Sequence, residues 1–118
     1  VAWNGQNGKI IFFQNEMPYD PPNQAAWMNG SSNGYPAIAV ASTVTSFGAW
    51  GVGSYCYFNV NPAVNSANAF QSPTGSGVAW HDLLTVSLGN VGSITHVINT
   101  TGAATPTNTT PSNVVSFP

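Results

Sequence analysis

Apolar and polar positions alternate along much of the chain with the two-residue period of extended strands, bounded by turn-forming clusters. The first such run is Lys9-Ile10-Ile11-Phe12-Phe13-Gln14, entered through Asn4-Gly5-Gln6-Asn7-Gly8. It is apolar on both faces and predicts a strand covered on both sides. Met17-Pro18-Tyr19-Asp20-Pro21-Pro22 follows, where three prolines forbid a regular element. Residues 23–28 predict one short helical turn, closed by Asn29-Gly30. From Pro36 to Phe47 the alternation is strict and built of small side chains, with Ile38, Val40 and Val44 on one face. Gly48, Gly51 and Gly53 predict a break or bulge around Trp50, and a further strand is expected over Val52–Val60. A short helix is expected from Pro62 towards Phe70, because proline suits a first helical position.

The clearest alternation runs from Val78 to Leu88. It puts Val78, Trp80, Asp82, Leu84, Val86 and Leu88 on one face and predicts Trp80 in the core. Gly89-Asn90 then reads as a two-residue turn leading into a partner strand over Val91–Ile98, which makes a hairpin. Asn99–Asn113 has almost nothing to bury, and Val114-Val115-Ser116-Phe117 ends the chain with a β-forming segment. No internal repeat is visible. The expectation is an all-β chain, an antiparallel β-sandwich or jelly-roll-like single domain with long polar loops spanning residues 1–118. Residues 99–118 form a Thr/Asn/Pro-rich segment that ends in an edge strand or an exchanged one.

Composition sharpens this picture. Of 118 residues, 3% are charged: Lys9, Glu16, Asp20 and Asp82, with His81 and His96 as the other titratable side chains. Ordinary soluble domains carry roughly 25%. With one lysine and no arginine there is no basic patch, which argues against nucleic-acid partners. No apolar run approaches the ~18 residues of a spanning helix, which argues against membrane insertion. Polarity comes from Asn, Ser, Thr, Gly and Gln, which hydrogen-bond without titrating, so acid and salt should remove few stabilising ion pairs. Four Trp, four Tyr and six Phe argue for a folded chain over a disordered one. The first residues, Val1-Ala2-Trp3, have neither the basic start nor the apolar stretch of a signal peptide.

The chemistry-bearing residues are few. Cys56 has no partner for a disulfide and sits in Tyr55-Cys56-Tyr57-Phe58, which reads as a buried, inert thiol. His81 and Asp82 are adjacent, but strand neighbours point to opposite faces, and no nucleophile elbow frames them. His96 reads as a strand histidine bonded to a neighbour. Zinc spacing is absent. Glu16 and Asp20, four apart, are a weak pattern for calcium, and a solvated loop is the plainer reading. These readings assign no catalytic residue, no metal and no cofactor.

Aromatic residues next to Gly and Asn are the main alternative signal. Trp3, Tyr19, Trp27, Tyr35 and Trp50 could stack on sugar rings while Asn and Gln bond the hydroxyls. Asn29, Asn99 and Asn108 are candidate glycosylation sites, though a chain so rich in Asn, Ser and Thr makes such triplets by chance. Val114, Val115 and Phe117 are the candidate subunit contact, since strand addition would order a tail that otherwise buries nothing. The functional expectation is a non-enzymatic structural subunit of an extracellular or virion-surface assembly, such as a filament, surface layer or capsid-associated protomer. It is expected to be a homo-oligomer or larger assembly. A carbohydrate-binding module or lectin is the alternative.

Overall fold

The computed structural model describes residues 1–106 and 111–118. The described residues form ten strands: β1 (Ala2–Trp3), β2 (Gly8–Glu16), β3 (Met28–Asn29), β4 (Ser32–Asn33), β5 (Ile38–Val40), β6 (Phe47–Cys56), β7 (Asn65–Gln71), β8 (Val78–Ser87), β9 (Ser93–Ile98) and β10 (Ser112–Phe117). Two four-stranded sheets have the orders β1-β5-β7-β9 and β10-β8-β6-β2, and β3 and β4 form a small hairpin. Apart from β3 and β4, consecutive strands fall in alternate sheets. The chain therefore coils, laying one strand in each sheet per circuit, in the manner of a solenoid. Neighbouring strands are parallel throughout both large sheets, with the exception of β10, which runs antiparallel to β8.

This corrects the antiparallel sandwich or jelly roll. The alternation of a half-buried strand is the same in either direction, so strand pattern alone cannot report parallel pairing. The expected hairpin after β8 shows the error most clearly. Leu88–Asn90 is a tight 3₁₀ turn with Gly89 and Asn90 both left-handed (φ 61° and 60°). It delivers the chain to the other sheet, where β9 pairs with β7. The region expected to be helical after Pro62 is largely strand β7. The helical turn expected over 23–28 is a 3₁₀ turn at Gln24–Ala26, capped by the Asn23 side chain.

Register inside the second sheet depends on one row of residues. Phe12, Gly51 and Asp82 are all left-handed (φ 58°, 64° and 56°). They occupy the same level of three adjacent strands, because Ile11, Trp50 and His81 are aligned just before them and Phe13, Val52 and Leu83 just after. A left-handed residue turns the strand and resets which side chains face in. Trp80 and Leu83 consequently both point into the core (0% and 1% exposed), while Leu84 and Val86 face outward, half-buried. The uninterrupted alternation expected from Val78 to Leu88 is thus broken at Asp82. Of the break or bulge expected around Trp50, no break occurs: β6 runs through the glycines, and the irregularity there is the left-handed Gly51.

The core lies between the sheets. Ile38, Phe70 and Ile98 stack in one ladder of the first sheet, all fully buried. Trp80 reaches from the second sheet to join it, with its ring 5.3 Å from Phe47 and 5.6 Å from Phe70. Its indole N–H donates to Ser72 Oγ at 2.7 Å, so the one polar atom of the side chain is satisfied. Asn99, itself left-handed, accepts from Ser72 N and donates to Ser72 O across neighbouring coils. A second inward ladder is polar: Asn15, Ser54 and Thr85 are aligned, and Asn15 Oδ1, Ser54 Oγ and Thr85 Oγ1 are buried without a protein hydrogen-bond partner.

The polar tail is held by backbone bonds. Ile94 and Thr105 exchange both N–H···O bonds, and Ser112 Oγ donates to Ala103 O. The final segment is an edge strand of its own sheet, with Val114 opposite Leu83 and Phe117 opposite Trp80. Of the candidate subunit-contact residues, Val114 and Phe117 therefore pack within the chain, and Val115 is left outward at 73% exposure.

Removing the Trp80 ring leaves a hole between Phe47 and Phe70, so Trp80→Ala should cost about 3–5 kcal/mol in urea unfolding. Thr85→Val keeps the shape and deletes an unpartnered hydroxyl, so it should be neutral or stabilising by about 1 kcal/mol. The Cys56 thiol is pushed up from an ordinary 9.0 to about 11, first by burial, with a hydrogen bond to Ser87 acting the other way. A thiol that ionises later when folded favours the folded chain below pH 9, and this contribution is lost as pH rises from about 9 to 11. Labelling of Cys56 by a thiol reagent at pH 8 should accordingly follow global unfolding; fast labelling of the native chain would contradict the burial.

Candidate functional site

The five aromatic residues proposed for sugar stacking do not converge on one surface. Trp3 is half-buried, 5.6 Å from Phe47, with its indole N–H donating to Gly5 O at 2.8 Å. A Cβ at Gly8 would strike the Trp3 ring, so glycine there is what lets the indole lie against β2. Trp27 is 9% exposed, 5.0 Å from Phe58. Trp50 is half-buried, lies over Gly48 and stacks on the His81 ring (5.9 Å, 20° between planes). Tyr35 is exposed and lines a shallow cleft with Val1, Ala2, Asn29, Pro36 and Ala39. Tyr19 falls beside the Glu16 carboxylate.

Among the candidate glycosylation sites, Asn29 is exposed in the β3–β4 hairpin. The Asn99 amide is occupied on both sides by Ser72. Asn108 lies outside the described residues. His96 Nδ1–H donates to Gly102 O at 3.2 Å. His81 and Asp82 belong to strand β8, where His81 stacks on Trp50 and Asp82 is exposed. Among the described residues no three His, Cys, Asp or Glu side chains come together as metal ligands.

Another residue stands out once the register is known. Glu16 is the last residue of β2, opposite Tyr55 of β6. The step at Phe12 turns Gln14 and Glu16 to the outer face, and the same step at Gly51 turns Tyr55 there. Gln14, Asn15, Glu16 and Tyr55 line an open cleft of about 270 Å³. The proline-rich loop departs at once behind Glu16. Met17 N–H donates to Tyr55 O at 2.8 Å, and the Met17 side chain is buried at 3% exposure. Asn61 Nδ2 holds Pro22 O at 3.1 Å. This anchored turn brings Tyr19 back over the strand end, where its hydroxyl donates to the Glu16 carboxylate and its ring meets Tyr57 edge-on at 5.6 Å. Gln14 Nε2 lies 3.4 Å from the Tyr55 hydroxyl.

The cluster is thus a carboxylate in open solvent, oriented by one phenol and flanked by a second phenol and an amide. Such a group can exchange a proton with a bound molecule while the neighbouring rings and amide hold that molecule in place. Composition alone did not single it out, because Glu16 reads as a solvated loop carboxylate. The legible trace is the spacing Glu16-Met17-Pro18-Tyr19, in which a proline bend returns a phenol to the carboxylate.

No protein-family model matches the chain. It is 56% identical over 119 residues to an exo-β-1,3-glucanase of Streptomyces sp. (strain SirexAA-E), a match that covers all of this chain and 20% of that protein. Among solved structures, sacteLam55A from Streptomyces sp. SirexAA-E superposes with a TM-score of 0.97 at 55% identity, over 100% of this chain and 22% of that one. A variant of the same enzyme in complex with glucose superposes with a TM-score of 0.97 at 54% identity and the same coverage. These relationships overturn the expectation of a non-enzymatic structural subunit of a filament, surface layer or virion, and with it the lectin alternative: the relatives of this chain are glucanases. An extracellular location is compatible with that kinship, whereas nothing supports a virion surface. The chain spans about a fifth of the length of the curated relative it matches.

Proposed function

We propose that this chain is a domain of an extracellular glycoside hydrolase acting on β-1,3-glucan, and that Glu16 is its proton donor to the scissile bond. One observation carries the reading: Glu16 stands at an open cleft with its carboxylate oriented by the Tyr19 hydroxyl. Kinship to an exo-β-1,3-glucanase over the whole chain supports it.

Hydrolysis of a glycosidic bond needs an acid that protonates the departing oxygen while a second group activates water or attacks the sugar. In the proposed step the carboxylic acid of Glu16 gives its proton to the glycosidic oxygen, and the C–O bond breaks towards the leaving sugar. The carboxylate left on Glu16 accepts the Tyr19 hydroxyl. Tyr55 and Gln14 line the same cleft and offer a phenol and an amide to sugar hydroxyls. Among the described residues no second carboxylate lines this cleft, so the water-activating group belongs to the remaining four-fifths of a glucanase of the relative's length.

A chimera tests this directly, with the 118 residues replacing the matching fifth of the Streptomyces enzyme. Glu16→Gln in that chimera should lower kcat on β-1,3-glucan by about 10²–10⁴-fold, the range of a general acid. On a nitrophenyl β-glucoside, whose leaving group needs no proton, the loss should be much smaller. Equal losses on the two substrates would sink the role of Glu16 as acid.

A further inference from the structure

A groove adjoins the Glu16 cleft on the outer face of the second sheet. It measures about 190 Å³ and is lined by Phe12, Gln14, Gly51, Gly53, Asp82 and Leu84, among others. Gln14 and Tyr55 line both this groove and the Glu16 cleft, so the two are one continuous depression with the Gln14–Tyr55 contact between them. We propose that this groove is a second sugar subsite, which holds the glucosyl unit next to the one bound at Glu16. The inference rests on the glucanase reading above and extends it.

Three features carry it. The floor is kept low by glycine on β6. At Gly53 a Cβ would stand 3.3 Å from the Tyr55 hydroxyl and crowd the ring, so glycine there lets Tyr55 lie down along the strand. At Gly51 a Cβ would meet nothing nearer than the Phe12 backbone at 4.0 Å, so the space above it is open. The walls have the two-sided chemistry of a sugar. Phe12 is 78% exposed, a large aromatic held out from the sheet, and its ring offers the apolar face on which the C–H side of a pyranose stacks. Asp82 and Gln14, both exposed, supply the acceptor and the amide that sugar hydroxyls bond. Finally, the backbone bears a cost at this place. Phe12 and Asp82 are non-glycine residues in left-handed conformation, a disfavoured state for a side chain of the size of phenylalanine. The same step that resets the register also thrusts both side chains outward on either side of Gly51.

The test compares two probes, glucose and its β-1,3-linked dimer, titrated calorimetrically into the 118-residue chain. A dimer that spans both sites should bind about tenfold more tightly than glucose. Phe12→Ala and Asp82→Asn should each shrink that dimer-to-glucose ratio about fivefold. Both side chains are exposed, and an unchanged thermal midpoint will verify that each variant is folded. A dimer bound no more tightly than glucose by the wild-type chain overturns the subsite, as it would if this face instead packs against another part of a longer enzyme. A ratio unchanged in both variants overturns it as well. Neither result touches Glu16, whose role stands or falls on the paired substrates of the chimera.

Discussion

A row of three left-handed residues, Phe12, Gly51 and Asp82, governs how the second sheet presents its side chains. Before the row, Ile10, Ala49 and Trp80 face the core; after it, Phe13, Val52 and Leu83 do. Without the step, the second half of each strand would turn its other face inward, since a shift of one residue exchanges the two faces of a strand. Glu16, Gln14 and Tyr55 would then point into the protein. The candidate site therefore exists because three strands make the same turn at the same level. Parallel stacking makes this self-consistent, because each coil repeats the geometry of the one beside it.

The coil is held together by means that need almost no charge. Trp80 packs on Phe47 of its own sheet, ties that sheet to the other through Phe70 and fixes its polar atom on Ser72. Asn99 clamps the backbone of the same serine from the next coil. Gln6 does comparable work at the other end, its Oε1 accepting from Thr45 N and Ser46 N and its Nε2 donating to Thr43 O. Neutral amides that bond backbone groups across coils stand in for the ion pairs that a more charged domain would use. Their hydrogen bonds do not depend on titration, which is why a chain with 3% charged residues can still be specifically folded.

Function gathers where regularity ends. Glu16 sits at the junction of a long strand and a proline-rich loop, so the strand fixes its position while the anchored loop brings Tyr19 to it. The groove beside it is shaped by the absence of side chains at Gly51 and Gly53 as much as by their presence at Phe12 and Asp82. A chain that matches a fifth of the curated glucanase's length in this way brings an exposed carboxylate and a shallow groove to one face.

Much was legible in the residues themselves. An all-β chain, the positions of the strands around Ile10–Phe13 and Val78–Ser87, a buried Trp80 and a buried Cys56 follow from β-branched and aromatic patterning, because that pattern is local. The direction in which strands pair is not local. Equivalent positions such as Gly8, Phe47 and Val78 recur at unequal intervals, the first widened by the β3–β4 hairpin, so no sequence repeat betrays the coil. The left-handed state of Phe12 and Asp82 is likewise silent in sequence. Neither residue type favours it as glycine does, and only stacking on Gly51 in the neighbouring strand selects it. The identity of Glu16 as the residue of interest was fixed by the same tertiary step, since burial, face and the approach of Tyr19 all depend on how the coils lie against one another.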